Sequence, residues 1–251
     1  MYASIAAYRF VSIEDPRAVA DAIRDRAQAR ALLGSVLVAG EGVNLFLAGT
    51  ADDIAGFLGW LRADPRLADI EVKHSSSATR PFARLKVKVK AEIIAFRRDD
   101  ASPLDGRAPS VAPEILARWI ERGTDDAGRR LVLLDTRNRE EVGHGTFAGA
   151  TTLPIDNFTD LPDAVDALRD SLADAAVVSF CTGGIRCEKA ALWMQARGMD
   201  NVLQLDGGIL GYFERVGGHG YDGGCFVFDE RVALAPDLSA MADATASGEG
   251  A

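Results

Sequence analysis

The first ninety residues switch between the two periods that polypeptides use to bury a face. Residues 5–13 carry the two-residue alternation of a strand, and Asp15-Pro16 opens a helix expected to run to residue 33, with Val19, Ile23 and Ala27 on one side. Two apolar runs, 34–39 and 43–48, flank Gly40-Glu41-Gly42 and read as a hairpin. A second helix is expected over 52–62, burying Ile54, Phe57, Leu58 and Leu61, and 70–73 makes a further strand. The order β-α-β-β-α-β predicts a ferredoxin-like domain, with two helices on one face of an antiparallel sheet.

The next run alternates without exception. Arg84, Lys86, Lys88 and Lys90 fall on one face of a predicted strand, and Leu85, Val87 and Val89 on the other. Such a row is either a lysine-guarded sheet edge or a track for a polyanion. Arg80, Arg97 and Arg98 lie close by in sequence and extend the positive charge.

Residues 99–110 are rich in Asp, Pro, Gly and Ser and read as a linker, which sets the first domain at 1–98. Beyond it, a helix over 112–122, an apolar strand over 131–135 and a short strand over 151–154 are followed by a helix over 163–171. The strand containing Val177, Val178 and Phe180, a helix over 189–197 closed by Gly198, the strand 202–205 and a helix after Gly207-Gly208 complete an alternating pattern. That alternation predicts a parallel α/β domain over 111–234. Residues 235–251, mostly Ala, Ser, Gly, Asp and Glu, read as a disordered tail.

Chemistry concentrates at the end of the Phe180 strand, where ligands of open α/β sheets gather. Cys181 stands there, followed by Thr182, Gly183, Gly184, Ile185, Arg186 and Cys187. Small residues between a strand and a helix let backbone N–H groups converge on one point, and Cys181 occupies it. A helix terminus, those donors and Arg186 favour a thiolate over a thiol of pKa ~8.5. Phosphatases place five residues between their cysteine and arginine; here there are four, one too few to cradle phosphate. Asp135 and Arg137, at the end of a neighbouring strand, are expected to shape the site, the acid holding the cationic loop by a charge-assisted hydrogen bond.

Composition narrows the function. A net charge of −9, from 28 Lys and Arg against 37 Asp and Glu, argues against indiscriminate polyanion binding, so any nucleic-acid contact must be local. Three cysteines make no disulfide framework, and three histidines lack zinc-like spacing with them, so no metal site is expected. No leader-like start and no apolar stretch near the ~20 residues of a membrane span are present, which points to a cytoplasmic chain.

Several strings resemble known families. Leu134-Asp135-Thr136-Arg137, the stretch 140–150, the loop from Cys181 to Arg186, and Val202-Leu203-Gln204-Leu205-Asp206-Gly207-Gly208-Ile209 resemble the motifs of rhodanese domains. A narrower resemblance spans nearly the whole chain. Glu41-Gly42-Val43-Asn44, the basic strand, the string from Cys181 through Arg186, Cys187, Glu188 and Lys189 to Ala190, and Gly224-Cys225-Phe226-Val227-Phe228-Asp229 are similar to the oxygen-dependent tRNA uridine hydroxylase family. The resemblance implies an acylphosphatase-like, ferredoxin-like domain joined to a rhodanese-like domain, and an oxidoreductase that 5-hydroxylates the wobble uridine of tRNA. It implies molecular oxygen as co-substrate and no identified cofactor. Cys181 would be the catalytic cysteine, and Arg84, Lys86, Lys88 and Lys90 would bind the RNA. Two other functions remain open: a sulfurtransferase passing sulfur from a donor through a Cys181 persulfide, and a non-catalytic tRNA-binding module.

Overall fold

The computed structural model describes residues 1–98, 100 and 102–241. Its first domain runs β1 (Tyr2–Phe10), α1 (Pro16–Ala29), β2 (Leu33–Ala39), β3 (Gly42–Gly49), α2 (Ala51–Leu61), β4 (Glu71–Ser77) and β5 (Leu85–Val89). The sheet order is β4-β1-β3-β2-β5: four antiparallel strands in ferredoxin-like order, extended by β5 lying parallel to β2 at the edge. The helix α1 starts as expected, with Asp15 capping two backbone N–H groups, but stops at Ala29 rather than residue 33. Ala31, at φ +51°, turns the chain so that Leu33 can enter β2. Gly34 is required there, since a Cβ would stand 2.0 Å from the carbonyl oxygen of Phe46.

Strand alternation sorts the sheet. Ile5, Ala7, Val36, Val38, Leu45 and Leu47 pack against Ile23, Ala27, Ile54 and Phe57 of the two helices. The other face carries Ala6, Tyr8, Ser35, Leu37, Asn44 and Phe46, and looks onto the second domain.

That domain comprises β6 (Ser110–Val111), α3 (Pro113–Arg122), β7 (Arg130–Asp135), α4 (Arg139–Gly143), β8 (Gly145–Phe147) and β9 (Thr151–Thr152). The chain continues through α5 (Leu161–Asp166), α6 (Arg169–Leu172), β10 (Ala175–Phe180), α7 (Ile185–Gln195), β11 (Val202–Leu205) and α8 (Gly208–Val216). Three short strands follow, β12 (Tyr221–Gly223), β13 (Cys225–Phe226) and β14 (Ala233–Leu234). The main sheet is parallel, in the order β6-β11-β10-β7-β9. All six residues of β10 are buried, because helices cover both faces: Val177 enters one core with Trp193 and Met194, Val178 the other with Ile209 and Phe213. The helix expected over 163–171 is divided into α5 and α6, and α7 begins four residues earlier than expected, at Ile185.

Two boundaries differ from the sequence reading. The first domain does not hold everything up to residue 98, because Phe96 is fully buried in the second domain's core, stacked on Phe158 at 4.7 Å and edge-on to Trp193. At the other end, residues 235–241 are not a loose tail: Ala240 bridges to Leu234, and the N–H of Met241 donates to the carbonyl of Ala233. Tail residues 242–251 and linker residues 99 and 101 lie outside the described residues. Among the described residues no helix is long and apolar enough to cross a membrane.

Because Phe96 is wedged between rings of a domain that begins fourteen residues later by sequence, Phe96→Ala is expected to cost about 3–5 kcal/mol of unfolding free energy. Denaturant titration of the full chain measures it.

Candidate active site

The loop between β10 and α7 is shaped by glycine and closed by backbone hydrogen bonds. Gly184 caps α7 at φ +98°, a left-handed conformation that directs its N–H to the Cys181 Sγ at 3.2 Å. Gly208, at φ +62°, lies so near that a Cβ would stand 2.5 Å from the Cys181 carbonyl oxygen. That closeness lets the N–H of Ile209 and Leu210 donate to the carbonyls of Cys181 and Thr182 at 2.9 and 3.0 Å. Strand β11 and helix α8 thus hold the loop from below.

Cys181 and Cys187 are both free and fully buried. Burial pushes the Cys181 thiol up, but the Cys187 thiol, the Arg186 charge, and the backbone N–H groups of Arg186 and Gly184 outweigh it and bring its pKa down to about 6. Cys187 moves the opposite way, driven well above its ordinary value by burial and then by the hydrogen bond and charge of Cys181. Thr136 Oγ1, which donates to the Phe180 carbonyl at 2.9 Å, lies 3.6 Å from the Cys187 sulfur. One sulfur is therefore the anion and the other its protonated neighbour.

Arg186 is fixed by Glu141 through two bonds, Nη1 to Oε2 at 2.5 Å and Nη2 to Oε1 at 2.6 Å. Burial alone would raise the Glu141 carboxyl, but the Arg186 pair holds it below the usual range. Sequence reading assigned the task of holding the loop to Asp135, and the structure corrects this. Asp135 is tied to Arg137, at 2.9 and 2.6 Å, and to Thr146 Oγ1 at 2.7 Å. Arg137 in turn donates to the Gly145 carbonyl at 2.6 Å, so this fully buried pair braces β7 against β8, one layer beneath the loop. Glu141 is held for this pairing by a reciprocal capping box at the start of α4, its N–H donating to Asn138 Oδ1 at 2.9 Å while its Oε2 accepts the Asn138 N–H at 3.3 Å.

A cleft of about 1180 Å³ opens above the loop, between the two domains. Thr182, Gly183, Ile185 and Arg186 face it from the second domain, and Arg84 and Lys86 from the first. Lys88 and Lys90 continue the same exposed row along the edge strand, beyond the cleft wall. Guarding of a sheet edge and lining of the cleft are thus both properties of this strand. Residues whose place sequence reasoning did not foresee complete the site. Tyr8 and Arg107 each donate to Glu188 Oε1 at 2.9 Å, and Lys189 holds Glu41, Glu92 and the Ile94 carbonyl at 2.8, 2.7 and 3.1 Å. Glu41, Glu188 and Lys189 stood in recognisable strings, but Tyr8 and Arg107 carried no signal. Among the described residues no group of three or more His, Cys, Asp or Glu side chains is arranged to hold a metal ion.

A parallel sheet bearing a six-residue Cys-to-Arg loop defines the second domain as rhodanese-like, and the chain as a two-domain thiol protein. Family models agree: a UPF0176 acylphosphatase like domain matches residues 2–93 and a rhodanese-like domain matches residues 112–215. Close relatives match end to end. The tRNA uridine(34) hydroxylase of Xanthomonas campestris pv. campestris (strain B100) is 68% identical over 249 residues, covering 99% of this chain and 98% of that one. Its counterpart from Xylella fastidiosa (strain 9a5c) is 62% identical over 238 residues, covering 95% and 93%. The chain belongs to the tRNA uridine(34) hydroxylase family.

The depressed Cys181 pKa has a direct readout. Thiolate absorbance should titrate with a midpoint near 6, and Cys187→Ala, which removes the strongest of the stabilising contacts, should shift that midpoint upward. Since the folded pKa lies below the unfolded one, the stability this thiolate contributes is present above pH ~8.5 and fades as pH falls through about 6.

Proposed function

We propose that the protein hydroxylates C5 of uridine 34 in tRNA, with molecular oxygen as co-substrate and Cys181 as the catalytic nucleophile. The observation that carries this reading is a thiolate buried directly beneath the loop residues Thr182 and Gly183 that line a cleft, with Arg84 and Lys86 of the edge strand on its other wall. Uracil is an α,β-unsaturated carbonyl, and a soft thiolate adds to its C6. Addition turns C5 into an enolate carbon that attacks molecular oxygen to give a C5 hydroperoxide. Two electrons from an external thiol reductant cleave the O–O bond and release one oxygen as water, and loss of the C5 proton with departure of the Cys181 thiolate restores the C5=C6 double bond. A thiol with a pKa of about 6 is ionised at neutral pH without a separate general base.

The first domain supplies the selection of RNA that a sulfur atom lacks. Arg84 and Lys86 on the cleft wall, and Lys88 and Lys90 further along the edge, form a track for the phosphate backbone of a single-stranded anticodon loop. A sulfurtransferase using a Cys181 persulfide is the second reading, supported by the rhodanese-like length of the loop.

Mass spectrometry of nucleosides separates the two. Purified protein, oxygen, a thiol reductant and unmodified tRNA should give 5-hydroxyuridine, and Cys181→Ser should abolish it with thermal stability retained. Product unchanged in Cys181→Ala sinks the assignment of Cys181 as the catalytic residue. Rapid thiosulfate-to-cyanide sulfur transfer with untouched tRNA selects the sulfurtransferase.

Binding tests the track independently. At ~−0.7 in log affinity against log salt per contact on single strands, Lys86→Ala with Lys88→Ala should weaken tRNA binding and flatten the slope by roughly 1.4. Filter-binding titrations across salt concentrations measure both, and an unchanged slope assigns the strand to edge protection alone.

A further inference from the structure

Three segments of the chain meet on one carboxylate beside the thiol loop. Glu188 lies in the first turn of α7, one residue past Cys187, and its side chain is only 6% exposed. Tyr8 reaches it from β1 of the first domain and Arg107 from the connecting segment, both bonding to Oε1. Among the described residues no donor reaches Oε2, and the remaining guanidinium N–H groups of Arg107 have no partner either. Glu188, Arg107 and Tyr8 all line the cleft, together with Thr182 and Gly183. The Tyr8 hydroxyl lies 3.0 Å from where a Cβ on Gly184 would stand, so the cluster abuts the residue that donates to the Cys181 sulfur.

A nearly buried carboxylate with one saturated oxygen, and a cation with free donors next to it, offers an acceptor and a donor side by side on a cleft wall. Uracil presents the complement, a ring N3–H flanked by carbonyl oxygens. Cytosine instead places a lone pair at N3, facing the carboxylate. We propose that Glu188 is the specificity-determining residue for the target base, its Oε2 accepting the N3–H of uracil while Arg107 donates to an adjacent carbonyl oxygen. Tyr8 is a positioning residue that orients the carboxylate. The proposal rests on the tRNA hydroxylase reading above and adds to it the group that recognises the base.

The test pairs a change in the enzyme with a change in the substrate. Full-length protein is assayed on a synthetic anticodon stem-loop carrying either uridine or N3-methyluridine at the target position. Methylation, which removes the N3–H, should lower wild-type kcat/KM by roughly 10- to 100-fold, the range for a hydrogen bond to a charged group. Glu188→Ala should show a comparable loss on uridine and no further loss on N3-methyluridine. Glu188→Gln, whose amide oxygen still accepts, should recover part of the activity and of the methylation penalty, and it carries the comparison if the alanine variant does not fold. Tyr8→Phe, which keeps the carboxylate, should keep the methylation penalty. If the losses from methylation and from the Glu188 substitution multiply, Glu188 does not meet N3–H and the proposal is overturned. Failure of the wild type to hydroxylate the uridine stem-loop would instead overturn the parent function, and it shows before any variant is made.

Discussion

The arrangement of the molecule hangs on one ammonium group. Lys189 is nearly buried, and its Nζ is shared by Glu41 from the hairpin of the first domain, Glu92 from the segment leaving it, and the Ile94 carbonyl. An isolated buried charge costs several kcal/mol, so a lysine here is tolerated only while its carboxylates stay in place, and both come from outside its own domain. The acceptors are themselves fixed: Glu41 takes the Ile93 N–H at 2.7 Å, and Glu92 takes the N–H groups of Phe96 and Arg97. One turn of helix separates Lys189 from Arg186, so the same contact that joins the domains sets the distance from the first sheet to the thiol loop.

Magnitudes decide what makes Cys181 an anion. A helix terminus contributes at most about 2 kcal/mol in favourable geometry, whereas bringing a buried thiol to a pKa of about 6 takes on the order of 4 kcal/mol, besides overcoming desolvation. The difference falls to Cys187 and to Arg186, and Arg186 is an effective cation in a buried place only because Glu141 pairs with it twice. Carboxylate, guanidinium and thiolate form an alternating series in which each charge permits the next. Removing the first member would disable the last without touching it.

Sequence periodicity carried the secondary structure and both folds, since alternation and helical stripes are local properties. It placed Cys181 at a strand end and the four cations on one face for the same reason. What it missed is non-local. Phe96 has the signature of any apolar residue near a linker, and only packing shows that it enters the second core. Asp135 and Glu141 are both acids in recognisable strings; only the folded pairing, Asp135 with Arg137 and Glu141 with Arg186, shows which one holds the loop. Glu41 and Lys189 stood in separate strings 148 residues apart, and nothing in either string states that they touch. Tyr8 is one of many aromatic residues on a strand, and its meaning comes from the carboxylate opposite.

The charge distribution resolves an apparent conflict between an acidic chain and a polyanionic substrate. The protein carries a net charge of −9, and its cleft is mixed in sign, with Arg9, Lys73, Arg84, Lys86, Arg107 and Arg186 set among Glu71, Glu140, Glu141, Asp156, Glu188, Asp229 and Glu230. At physiological ionic strength charges beyond about 8 Å are largely screened, so an RNA loop entering the cleft meets its local cations rather than the whole molecule. Within the cleft the charges are segregated rather than in excess of one sign: Arg84 and Lys86 stand on the side of the first domain's edge strand, whereas Glu140, Asp156, Asp229 and Glu230 line it from the second domain, so a phosphate backbone is favoured on the strand side and disfavoured on the other.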